Sequence, residues 1–75
     1  MEHNETELIE TAKRYLKETY SEDTVKMTVK SNSVKNGKGS MNVDCTVSVG
    51  GSKSNWNKTF FFENGEVVKM NYRML

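Results

Sequence analysis

The apolar residues of this chain change period once, and that change leaves few folds open to it. Through residue 20 they recur at Leu8, Ile9, Ala12, Tyr15, Leu16 and then Thr19 or Tyr20, in steps of three and four that lay one stripe along a helix. Beyond that point they fall at every second residue. Val25, Met27 and Val29 alternate with Lys26, Thr28 and Lys30; Met41, Val43, Cys45, Val47 and Val49 alternate with Asn42, Asp44, Thr46 and Ser48. Asn4 followed three residues later by Glu7 has the form of a capping box, so the helix is predicted to begin there and to close at Ser21 to Asp23 without a glycine. Between the alternating runs, "KNGKG" and "GGSKS" supply the positive-φ positions of hairpin loops.

The run "TFFFENGEVV" tests how the last two strands pair. Neighbouring side chains on a strand point to opposite faces, so Phe60, Phe61 and Phe62 cannot all enter one core. A two-residue turn at Asn64 and Gly65 would set Phe60 beside Lys69 and Trp56 beside Arg73 and mix charge into both faces. A three-residue loop of Glu63, Asn64 and Gly65, with Gly65 alone left-handed, sets Phe60 against Val68, Lys58 against Met70 and Trp56 against Tyr72. That register is expected, because burial of one face decides register. It places Trp56, Phe60, Phe62, Val68, Met70 and Tyr72 in the core and turns Phe61 and Val67 outward.

Four strands with one apolar side each need one cover, and the helix supplies it. The expected fold is therefore α+β, a single domain over residues 1–75 in two layers, with one N-terminal helix on a four-stranded antiparallel meander (αββββ). This element order resembles the helix and curled sheet of the cystatin-like and nuclear-transport-factor-like folds. The cystatin resemblance implies a protease-binding wedge with a Gln-x-Val-x-Gly loop and a Pro-Trp hairpin. Here the loops read "KNGKG" and "ENGE" and the chain contains no proline, so protease inhibition is not expected.

Composition narrows the chemistry. One cysteine in 75 residues permits neither an intramolecular disulfide nor a metal site built on thiolates, and Cys45, central in its alternating run, reads as a small core hydrophobe. The net charge of +1 divides unevenly: residues 1–23 hold seven acids against three bases, residues 24–75 eight bases against three acids. The two parts are expected to attract each other. An acidic, amphipathic start without a signal-peptide pattern, and no run of about 20 apolar residues, point to a cytoplasmic chain without a membrane span, unless it is a piece of an exported protein. In that case the sequons at Asn4 and Asn57 would gain meaning.

No catalytic set can be assembled. His3 stands outside the predicted helix, and the acids beyond the helix are Asp44, Glu63 and Glu66, two of them flanking a hairpin loop. The glycine-rich stretches lie between strands, whereas a phosphate loop leads from a strand into a helix. No enzyme activity, cofactor, metal or small-molecule substrate is expected. The leading reading is an interaction module, binding a protein partner or weakly itself, through the polar sheet face or the edge of the last strand. Its expected contact surface is Phe61 and Val67 with Lys26, Lys30, Lys69 and Arg73. The alternative is a nucleic-acid-binding domain that uses those four bases.

Overall fold

The structure is a computed structural model and describes residues 4–75; His3 lies outside the described residues. Helix α1 (Glu5–Tyr20) is followed by β1 (Asp23–Asn32), β2 (Gly39–Val49), β3 (Ser52–Glu63) and β4 (Glu66–Met74). The strands form one antiparallel sheet in the order β1-β2-β3-β4, so the αββββ meander read from the period change is the architecture found. No described helix is long and apolar enough to cross a membrane.

Local chemistry sets both ends of α1. The Asn4 side chain accepts the Glu7 N–H at 2.8 Å, which satisfies one orphan donor of the first turn. At the other end Ser21 takes the left-handed conformation (φ 57°), and the Glu22 N–H turns back to the Leu16 carbonyl at 3.2 Å. A left-handed residue can thus end a helix without glycine, and here it decides where Glu22 points.

All three strand connections contain a dipeptide with both φ angles positive: Asn36 and Gly37, Gly50 and Gly51, Asn64 and Gly65. That is the signature of a two-residue type I′ turn, whose twist suits the strands it joins. The expected three-residue loop at 63–65 is therefore wrong: Asn64 is left-handed as well as Gly65, and Glu63 pairs with Glu66. A bulge in β4 one step later restores the expected facing of the residues beyond it, but every β3 residue there pairs two positions further along β4 than expected. Phe62 pairs with Val67 but Phe61 with Lys69, which leaves Val68 as the extra residue. Val67 consequently packs against the core, and Val68 is 57% exposed, the reverse of the expected placement. Past the bulge Phe60 meets Met70 and Lys58 meets Tyr72.

A similar irregularity reverses the start of β1. The register shifts between Thr24 and Lys26, so Thr24 stands opposite Val47 and its hydroxyl is buried, while Val25 is 54% exposed. The alternation with Met27 and Val29 predicts Val25 inward; each bulge exchanges the faces of the residues beside it.

The core sits where β2 and β3 meet the helix. Leu8, Ala12 and Leu16 of α1 close over Met41, Val43, Cys45 and Val47 of β2 and Phe60 and Phe62 of β3. Burying a large apolar side chain stabilises by about 1.5–3 kcal/mol, so this cluster is the main favourable term in so small a domain. Sixteen helical residues extend about 24 Å, against a longest molecular dimension of 38 Å. The first half of β3 and the second half of β4 consequently keep a corner of their inner face open.

Candidate functional site

The outer sheet face carries most of the residues picked out by sequence. Its centre is a ladder of short polar side chains bonded to one another. The Asn42 amide donates to Asn57 Oδ1 and Thr59 Oγ1, both at 2.9 Å; the Asn57 amide donates to Asn42 Oδ1 at 3.0 Å and Asp44 Oδ1 at 2.9 Å; and the Thr46 hydroxyl donates to Asn55 Oδ1 at 2.7 Å. Lys26 and Lys30 lie on β1, whereas Lys69 and Arg73 lie on β4. Three strand spacings, about 14 Å, separate these edges. Asp44 stands between them, 3.7 Å from the Lys30 ammonium. Phe61 has the Lys69 ammonium 5.6 Å from its ring centroid. Phe61, Lys26, Lys30, Lys69 and Arg73 thus share the outer face but form two groups rather than one patch, and Val67 is on the other side of the sheet.

The open corner of the inner face holds an arrangement that sequence reasoning missed. Lys58 shares the parity of Phe60 and Phe62, so it points inward, and it is only 2% exposed. A charge so deeply buried needs a partner. The partner is Glu22, whose carboxylate accepts directly from the Lys58 ammonium. Ser21 makes this possible by turning the chain at the end of α1, which brings Glu22 from the helix side onto the lysine. The ammonium also lies 5.5 Å from the Trp56 ring centroid and 5.8 Å from that of Tyr20. Such contacts add attraction to a desolvated cation.

Around the pair the aromatic residues continue toward β4. Trp56 and Tyr72 meet edge to face at 5.6 Å, and the indole N–H donates to Ser54 Oγ at 2.8 Å. Tyr20, Glu22, Trp56, Lys58, Met70 and Tyr72 line a cavity of about 190 Å³. Met74 lies beside it, opposite Trp56 in the ladder. Tyr72 was expected in the core but is 61% exposed, as is Met74, and Tyr20 is exposed as well. The helix ends before it can cover them. The Lys58 ammonium and the Glu22 carboxylate bond to each other, and the rest of the lining is aromatic and thioether surface.

Cys45 stands opposite Trp56 one strand inward and is buried. Burial pushes its thiol up from the ordinary value, with Lys58 pulling the other way and Glu22 and Asp44 adding to the rise. This matches a packing role. Comparison with protein-family models, curated proteins and solved structures finds no match for this chain.

The signal for Lys58 was present in the sequence as parity: any strand that buries Phe60 and Phe62 also turns Lys58 inward. Nothing local announced Glu22, which is 36 residues away and lies in the connection between helix and sheet.

Proposed function

We propose that this protein is a non-enzymatic, cytoplasmic interaction module that receives a protein partner on the open corner of its inner sheet face, at Trp56, Tyr72, Met74 and Tyr20. The observation that carries the reading is the contiguous exposure of Tyr72, Met74 and Tyr20 around the partly buried Trp56. Exposed aromatic and methionine side chains next to an ordered, buried charge pair form the kind of surface that a partner desolvates. The outer face offers less, because its amides and hydroxyls already bond to one another. A buried, free Cys45 suits a reducing compartment.

Site-specific photo-crosslinking tests this reading in the cells that make the protein. A benzophenone side chain at position 72 is expected to trap a protein adduct, and the same group at position 42, in the middle of the polar ladder, is not. An adduct at 42 with none at 72 would move the site to the outer face. Adducts at neither position would end the interaction reading.

A further inference from the structure

We infer that the free edge of β4, from Met70 to Met74, binds an extended segment of a partner protein in which apolar residues alternate with aspartate or glutamate. This inference rests on the proposed interaction role and specifies the chemistry of the partner.

The hydrogen-bond parity of the edge is fixed by one contact. The Leu75 N–H donates to the Asn55 carbonyl at 3.0 Å, so the backbone polar groups of Leu75 face β3. In an antiparallel ladder successive residues direct their N–H and C=O to opposite sides. Arg73, Asn71 and Lys69 therefore also face β3, and Met70, Tyr72 and Met74 present their N–H and C=O groups away from the sheet. Because β4 is an edge strand, these groups are open to another strand. The side chains of the same three residues point to the inner face, where Tyr72 and Met74 are exposed beside Trp56. An added strand would find main-chain partners and an apolar floor in one register.

The opposite edge is less receptive. The register of β1 shifts twice, between Thr24 and Lys26 and between Val29 and Ser31, and such bulges twist an edge away from pairing. In β4 the single shift lies before Lys69, and the ladder is regular from there to Met74.

Charge selects the occupant. On the outer side the β4 edge carries Lys69 and Arg73, and the β1 edge carries Lys26 and Lys30. Any edge-to-edge pairing of two copies brings base beside base, which disfavours self-assembly. A strand with carboxylates on its outer side meets Lys69 and Arg73 favourably, and its apolar side chains continue the floor made by Met70, Tyr72 and Met74.

The probes are blocked heptapeptides added to the full chain: valine alternating with aspartate, valine alternating with lysine, and a scrambled acidic peptide with its aspartates contiguous. Amide hydrogen exchange and chemical shifts are followed by NMR. The alternating acidic peptide is expected to slow exchange at Met70, Tyr72 and Met74 while leaving β1 unchanged. Tyr72→Pro removes an outward N–H from an edge strand, where proline is tolerated, and should weaken binding well beyond Tyr72→Ala, which keeps that N–H. Lys69→Glu combined with Arg73→Glu should weaken the acidic peptide about tenfold, from two exposed charge pairs of a few-fold each, and make the basic peptide the better ligand. Equal protection by the acidic and basic peptides would overturn the inference. So would no protection at millimolar peptide, or a free chain that sediments as a dimer with these amides already protected. An adduct at position 72 together with failure of the peptides would leave the interaction role standing and remove only the strand chemistry.

Discussion

Lys58 on β3 and Glu22 at the end of α1 form an ion pair inside the sheet-helix interface, with the lysine almost fully enclosed. The helix is thereby tied to the strand by charge as well as by packing. Pairs of this kind are costly to break, because the surviving charge stays buried.

Glu22→Ala is accordingly expected to destabilise the fold by about 3–5 kcal/mol, a large share of the total for a small domain. Replacing both partners, Lys58→Met with Glu22→Leu, should recover most of that loss, because an apolar pair of similar volume leaves no stranded charge. Urea unfolding of the single and double variants measures this. A double variant as unstable as Glu22→Ala would contradict it.

The two neighbouring phenylalanines should respond very differently to truncation. Phe60 is fully buried and Tyr15 meets its ring edge to face at 6.4 Å, so Phe60→Ala should cost about 3–5 kcal/mol. Phe61→Ala removes an outer-face ring beside Lys69 and should cost less than about 1 kcal/mol. Thermal denaturation separates the two, and equal losses would contradict the observed pairing of Phe60 with Met70.

Thr24 offers a stabilising change. Its hydroxyl is buried with no hydrogen-bond partner among the described residues, and it faces Val47. Thr24→Val keeps the branched shape and removes the unsatisfied group, so the urea midpoint should rise by an amount worth about 1 kcal/mol. A fall would show that the hydroxyl is satisfied in solution.

Much of this fold was legible in the sequence. The cap at Asn4, the turns at Asn36 with Gly37 and at Gly50 with Gly51, and the unbroken alternation of β2 each depend on neighbouring residues, and each reads correctly, whereas the turn at Asn64 and Gly65 reads as a three-residue loop. The errors cluster at Thr24 with Val25 and at Val67 with Val68, where a single inserted residue exchanges two faces. A bulge is chosen by what the whole strand gains further along: the one in β4 brings Met70 and Tyr72 onto the inner face beyond it, and no tripeptide encodes that. The open corner was hidden for a related reason. Whether Tyr72 is covered depends on how far and in which direction the helix runs across the sheet, a tertiary fact.

Glycine positions separate strain from collision. At Gly39 (φ 135°) an added Cβ would lie 2.5 Å from the Ser33 carbonyl oxygen, whereas at Gly51 (φ 86°) it would meet open space. Gly51→Ala should cost about 1–2 kcal/mol from the left-handed backbone alone, and Gly39→Ala distinctly more, since backbone must also move. Equilibrium unfolding of the two variants gives the comparison, and similar losses would count against the close approach of Ser33.

Alkaline pH should weaken the fold through Cys45. Its thiol is pushed up in the folded state, chiefly by burial, so above the unfolded value of about 8.5 the native state holds a proton that the unfolded chain has released. Stability is therefore full below that pH and falls as pH rises through the window between the unfolded and folded values. Tyr15, also raised by burial, adds a loss of the same sign at higher pH. Cys45→Val should flatten the first part of the decline, as read from urea midpoints at about pH 7 and 9.5. An unchanged slope would show that the thiol is not its source.

The tip between β1 and β2 is fastened twice. Lys35 and Lys38 exchange backbone hydrogen bonds at 2.8 and 3.0 Å, and the Gly65 N–H reaches the Gly37 carbonyl at 2.9 Å. Lys35 and Lys38 are also the only described basic residues outside the helix and the four strands. A trypsin-like protease is expected to cut there once the latch from Gly65 opens. A cut at that tip divides the chain into α1 with β1 and the continuous β2-β3-β4 sheet, joined across the β1–β2 ladder and the core. The tip is therefore the place where this protein can be divided into two complementary fragments, or can accept an inserted sequence, with its helix and all four strands intact.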